Sequence, residues 1–248
     1  MKKIIFLLTI LIFASCNNEN AHNCIQSAGD ITQVKIEVPL FDKVVVHERI
    51  ELIITEGPEQ KVVIESGKNL LPDITAEVIN NELVLTNYNT CNFFIDYDLT
   101  KVYITSPNLT RIRNASEYNV SSNGVLTYPS LFLISIGDKN KFLPVGDWYL
   151  TLENENVKIS GNGIAVFNIE GTTNNLDLNF SDGDTRFEGQ NLKAQHINVR
   201  QVSSNDMLIY PIESLTGSIH STGDVVSFNT PPFIEVEELS NFGKLIFK

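Results

Sequence analysis

Few side chains in this 248-residue chain are equipped for chemistry, and most of those recur in one setting. Four tetrapeptides share the form Ser-x-(Gly/Asn)-Asp. They are Ser135-Ile136-Gly137-Asp138, Ser181-Asp182-Gly183-Asp184, Ser203-Ser204-Asn205-Asp206 and Ser221-Thr222-Gly223-Asp224. Aspartates repeated at an interval would line up along one edge, and rows of carboxylate oxygens are what a hard cation such as calcium takes. The same residues are turn formers. Gly or Asn supplies φ > 0, and Asp and Ser bond backbone groups at their own corner. No copy carries the dense acidic run of a calcium loop. The sequence therefore assigns all four to turns and predicts neither a metal site nor a cofactor.

Other chemistry is thinner. Asp182, Asp184 and Arg186 lie close together, as do Glu170 and Asp177. Clustered acids beside a base would suit a polysaccharide lyase or hydrolase. These acids are spread out, so a carbohydrate-active enzyme stands as the alternative and no catalytic residue is named. His22, His47, His196 and His220 show no ligand spacing. Neither a Gly-x-Ser-x-Gly elbow nor a phosphate loop occurs. In Trp148-Tyr149, alternation turns one ring inward and one outward. The reading places Trp148 in the core in line with Leu150, and Tyr149 at the rim, where an aromatic can stack on a sugar.

The three cysteines report on location. Lys2 and Lys3 precede the apolar run from Ile4 to Ala14, which is too short for a bilayer span of about 20 residues and fits a signal peptide. The run ends Phe13-Ala14-Ser15-Cys16, which resembles a lipobox with Phe where Leu is usual. The expectation is cleavage after residue 15 and acylation of Cys16, a membrane partner through lipid. Asn17 rather than Asp follows, which favours the outer membrane, on its periplasmic face or at the cell surface. Residues 16–33 read as a polar tether. Cys24 and Cys91 would then sit in an oxidising compartment, where they either pair as a disulfide or stay separate thiols.

These groups must be held by something, and the chain body reads as all-β. Hydrophobic residues make up 42%, enough for a core. A formal charge of -12 and a pI near 4.7 exclude a phosphate-backbone partner, so no nucleic acid is expected. Residues 34–106 alternate in short strands. Ile50, Leu52 and Ile54 share a face, Glu56–Gln60 turns, Lys61–Ile64 returns, and Asn80-Asn81 makes another turn, all suggesting antiparallel hairpins.

Over 107–248 the turns recur about every 20 residues, with Ser240-Asn241-Phe242-Gly243 as a decayed fifth. A double-length gap between the first two copies holds Asn154-Glu155-Asn156, read as a degenerate turn. Short strands precede most turns: Leu131/Leu133, Leu150/Leu152, Leu176/Leu178, Ile197/Val199 and Ile234/Val236. A unit this small cannot bury its own apolar face, so units must stack. The expected fold is a parallel β-solenoid (β-helix) behind a hairpin-rich N-terminal section, with 34–248 as two parts or one continuous domain. A β-sandwich is the alternative.

Taken in order, the lipobox, Phe41-x-x-Val44-x-Val46, the spaced turns and the closing Gly223-Asp224-Val225-x-x-Phe228-x-x-Pro231 resemble the head GIN domain family of putative auto-transporter adhesins. The resemblance covers roughly residues 38–248. It implies a β-helical, lipid-anchored surface or periplasmic protein, and it carries no binding residues across. The expected function is a non-enzymatic, adhesin-like module with a glycan or protein ligand. A purely structural envelope component is a further alternative. The oligomeric state is left open.

Overall fold

The computed structural model describes residues 27–89, 99–137 and 144–248. The expected lipobox with Cys16, the expected leader and most of the expected tether lie outside the described residues, as do Cys24, Cys91 and Asp138.

The fold is all-β, with one short 3-10 turn at Leu71–Asp73 and no α-helix among the described residues. The first six strands are β1 (Ile31–Ile36), β2 (Lys43–Val46), β3 (Glu51–Glu56), β4 (Lys61–Gly67), β5 (Ile74–Ile79) and β6 (Glu82–Asn87). Next come β7 (Lys101–Ser106), β8 (Arg111–Asn114), β9 (Val120–Leu126) and β10 (Ser130–Ser135). Four long strands follow, β11 (Trp148–Gly161), β12 (Val166–Phe180), β13 (Arg186–Gln201) and β14 (Met207–Ile219). The last are β15 (Val225–Ser227), β16 (Phe233–Glu238) and β17 (Leu245–Phe247).

All seventeen belong to one sheet that folds back on itself, almost closed and barrel-like. It has two walls. The first runs β5-β6-β2-β8-β10, then through the second halves of β11 to β14, and ends at β16. The second runs β1-β4-β7-β3-β9, then through the first halves of β11 to β14, and ends at β15 and β17. The four long strands bend across both walls, so the walls are continuous rather than two separate facing sheets. From β10 onward every pairing is parallel. Val157 lies beside Leu176, Leu176 beside Ile197, Ile197 beside Leu215, and Leu215 beside Ile234.

This register explains the core. Inward positions of successive turns of chain stack in columns and exclude water between the walls. Trp148, Phe167 and Phe187 are neighbours in one column, and all are fully buried. Trp148 stacks on Phe167 at 5.2 Å between centroids, and Phe180 from the opposite wall lies 6.0 Å from Phe167. Each such buried apolar side chain contributes roughly 1.5–3 kcal/mol.

Several expectations need correction. β5 and β6 do form a hairpin, with Asn80 and Asn81 at φ 51° and 62°, the left-handed pair such a tight turn requires. β3 and β4 do not. β7 inserts between them, parallel to β3 and antiparallel to β4. Leu150/Leu152 does not belong with the other quoted pairs: it faces Ile169 and Gly171 on the second wall, and Val157/Ile159 holds the equivalent position on the first. Asn154–Asn156 is no turn but the bend within β11, and the turn falls between Gly161 and Val166. Ile31–Gln33, read as the end of the tether, pair with Gly67, Ser66 and Glu65. The sheet also crosses the 106/107 boundary without a break, because β8 joins β2 to β10 and β9 joins β3 to β11.

Candidate functional site

Parallel, in-register pairing does for outward residues what it does for the core: it sets the same position of successive turns side by side. On the first wall Ser130, Asn156, Asn175, His196 and Ser214 are consecutive partners. Asn156 Nδ2 donates to Ser130 Oγ at 3.2 Å, and Asn175 Nδ2 donates to Asn156 Oδ1 at 3.0 Å. His196 Nδ1 and Ser214 Oγ share a hydrogen bond at 2.9 Å. Two residues along each strand runs a second row: Phe132, Lys158, Asp177, Asn198 and Thr216. Lys158 lies 3.3 Å from Asp177, Asn198 Nδ2 donates to Asp177 Oδ1 at 3.2 Å, and Thr216 Oγ1 donates to Asn198 Oδ1 at 3.2 Å.

Between the two rows lies a groove of about 340 Å³, floored by the strands at Leu131, Val157, Leu176 and Ile197. The Phe132 ring sits at one end, 5.6 Å from the Lys158 ammonium. Lys158 and Asp177 offset each other, so the groove is close to neutral. Its walls offer amide, hydroxyl and imidazole groups at one repeat per strand, about 4.8 Å. Such rows recognise a ligand whose own polar groups repeat.

Two other hollows follow the same register. One on the second wall, about 430 Å³, is lined by Tyr149, Asn168, Glu170 and Glu188. One along the bend, about 630 Å³, is lined by Glu153, Glu155 and Lys193. Trp148 is fully buried and Tyr149 is exposed, so alternation placed both rings correctly.

The described turn residues bond within their own corner, as Asn205 N does to Ser203 Oγ, and also reach the turns before and after it. Asp206 Oδ1 accepts from Asp224 N at 3.0 Å, and Asp224 Oδ1 accepts from Lys244 N at 2.8 Å. Asp147, outside the Ser-x-Gly-Asp pattern, accepts from Val166 N at 2.8 Å in the same way. Ser203 Oγ donates to Thr185 O at 2.7 Å, Ser204 Oγ donates to Asp184 Oδ1 at 2.8 Å, and Ser135 Oγ donates to Pro144 O at 3.2 Å. Gly137 N donates to Asn162 Oδ1, Ser181 N to Gly161 O, and Gly243 N to Ser221 O.

Of the third positions, Gly183 takes the expected left-handed backbone at φ 77°, whereas Asn205 and Gly223 do not. Gly223 is required for a different reason: a Cβ there would lie 2.1 Å from Asn205 O.

The acids weighed for the enzyme alternative lie apart. Glu170 faces out from the second wall and accepts from Thr151 Oγ1 at 3.0 Å, while Asp177 belongs to the first wall. Arg186 pairs with Glu188 at 2.5 Å, Asn205 at 2.8 Å and Asp206 at 3.5 Å, not with Asp184. Among the described residues no three His, Cys, Asp or Glu side chains are grouped so as to hold a metal. No helix of the described residues is long and apolar enough to cross a membrane. The polar rows themselves escaped sequence reasoning. Their signal was present in Asn156-Val157, Asn175-Leu176, His196-Ile197 and Ser214-Leu215, a polar residue set before each first inward apolar one.

The family model described as putative auto-transporter adhesin, head GIN domain, matches residues 40–231. The chain belongs to that family. Among solved structures it is similar to a putative adhesin from Bacteroides fragilis NCTC 9343, with a TM-score of 0.79 at 18% identity over 90% of this chain and 99% of that one. It is also similar to a putative adhesin from Parabacteroides merdae ATCC 43184, with a TM-score of 0.62 at 14% identity over 88% and 97%. A putative lipid binding protein from Parabacteroides distasonis ATCC 8503 gives 0.62 at 11% identity over 88% and 97%. At these identities the likeness is one of fold. No curated protein matches the chain.

Proposed function

We propose that this family member is a non-catalytic, adhesin-like module of the cell envelope that binds a neutral glycan along the first wall. The observation that carries the reading is the groove between two hydrogen-bonded side-chain rows, with Phe132 at its end. A chain of sugar hydroxyls matches repeated donors and acceptors, and the near-neutral lining suits an uncharged polymer better than a charged one. The family name supports attachment rather than turnover. In this reading the almost closed sheet is a parallel β-solenoid, its coils formed by β10 to β17. The module is exported, and lipid on Cys16 holds it at the outer membrane.

The test is a screen against neutral and acidic glycans, repeated with Asn175→Ala and His196→Ala. Binding to a neutral polymer that weakens at least fivefold in both variants supports the reading. Binding that ignores both variants, or that releases a cleaved product, overturns it.

A further inference from the structure

The second wall carries a hollow of its own, and it lies where the sheet departs from even pairing. Two outward rows border it. Tyr149, Asn168 and Glu188 are consecutive partners in one, and Thr151, Glu170 and Asn191 in the other. Between the rows β11 has Leu150 alone, whereas β9 beside it has Ser122, Asn123 and Gly124. β12 has Ile169 alone, whereas β13 beside it has Gly189 and Gln190. On the first wall, β10 pairs with β11 and β11 with β12 without any such shift. Extra residues of this kind bend a strand and re-aim its side chains, and they gather beside active sites. The hollow, about 430 Å³, lies between these two bulges.

Its lining is an aromatic ring among acceptors that lack donors. Tyr149 is nearly half exposed. Asn168 Nδ2 donates to Trp148 O at 3.2 Å, and among the described residues nothing donates to its Oδ1. Glu170 Oε1 accepts from Thr151 Oγ1, and Glu188 Oε1 accepts from Arg186 Nε. The second oxygen of each carboxylate has no donor among the described residues. Gln190 Oε1 is withdrawn from solvent and is also unpaired. A buried acceptor left unmade costs free energy, so a ligand gains by bringing donors.

A sugar ring brings them in the right form. Its C–H face packs flat on an aromatic ring, and the hydroxyls around its rim each donate. The volume lies within the range of roughly 300–1,000 Å³ usual for small-ligand sites. A compact cation would reach one carboxylate and leave the acceptors of the neighbouring strand, about 4.8 Å away, unpaired. Charge narrows the sugar. Arg186 offsets Glu188, whereas Glu170 has no cationic partner among the described residues, so an acidic sugar is repelled. We infer that the second wall holds a separate saccharide site, in which a neutral sugar stacks on Tyr149 and donates to Asn168, Glu170 and Glu188. The two walls share one core, where Phe180 of the first stacks on Phe167 of the second, so this site and the groove face away from each other. On the reading of the groove given above, one copy then joins two glycan chains.

The experiment is calorimetric titration of the full chain with neutral oligosaccharides of glucose, mannose and galactose, and with the matching uronic-acid oligosaccharides. A neutral oligosaccharide should bind. Tyr149→Ala should weaken that binding about tenfold, and Tyr149→Phe, which keeps the ring, should retain most of it. Glu170→Gln should narrow the preference over acidic sugars. Tyr149 is at the surface, and unchanged melting temperatures will show that the variants are folded. Tyr149-dependent binding that survives Asn175→Ala upholds this site even if the first-wall groove binds nothing. Binding that ignores Tyr149→Ala overturns the inference, and its loss in Asn175→Ala would leave the sugar to the groove alone. A native chain that binds no neutral oligosaccharide overturns it as well. So does Tyr149-dependent binding of tetramethylammonium in place of sugar, which would make the hollow a cation site.

Discussion

At the scale of single residues, the decisive quantity is how closely one turn of chain approaches the next. Gly223 has no left-handed φ to protect, yet a Cβ would meet Asn205 O at 2.1 Å. Gly223→Val should therefore lower stability by typically 1–3 kcal/mol through overpacking, read by chemical denaturation. The Gly in Ser-x-Gly-Asp was legible as a requirement for glycine. Its cause was not, because the atom it avoids is contributed by a residue 18 positions earlier. Trp148 gives a second prediction. It is enclosed by Phe167, so Trp148→Ala should cost about 3–5 kcal/mol, while Trp148→Phe keeps a ring in the stack and should cost far less. His47 gives a third. Burial holds its pKa below the ordinary value, with Glu48 opposing and Arg113 assisting. The unfolded chain then takes up the proton first, so stability contributed by neutral His47 is present above the ordinary histidine pKa near 6.5 and is lost as pH falls through it. Melting temperature should drop between pH 7.5 and 5.5 more steeply in the native chain than in His47→Gln.

At the scale of elements, strand existence was readable and strand partnership was not. Alternation at Ile50, Leu52 and Ile54, and a tight turn at Asn80-Asn81, are local signals, and both elements form. That β7 would slip between β3 and β4 is settled by contacts 36 to 50 residues apart, which no local pattern encodes. What two of the repeated aspartates do was not legible locally. Asp206 and Asp224 each accept the N–H of a residue in the following turn, so they tie neighbouring units together. Asp206→Ala should lower stability by about 1–2 kcal/mol, since it leaves the Asp224 N–H without that acceptor. Asp206→Asn keeps an acceptor oxygen and should recover much of the loss. Comparing the two by urea denaturation separates the hydrogen bond from simple loss of charge.

At the scale of the whole molecule, the groove is the product of one regularity, parallel pairing in register. It is not visible in composition, where the same Asn and Ser residues read as ordinary polar surface. The expected membrane attachment belongs to this scale too. Cys16→Ser should move the protein from the membrane to the soluble fraction, and unchanged fractionation would remove lipid from the account. A last consequence comes from the aromatic stack. Trp148 is the sole tryptophan, and it is sealed within the middle of the sheet. Its emission, excited selectively, is thus a native optical gauge of the central region alone. From β11 to β14 each strand pairs with the one before and the one after it, so melting can begin at one end of that run. Circular dichroism would then fall while the indole still glows blue-shifted. The gap between those two curves would measure how far unravelling travels before the centre gives way.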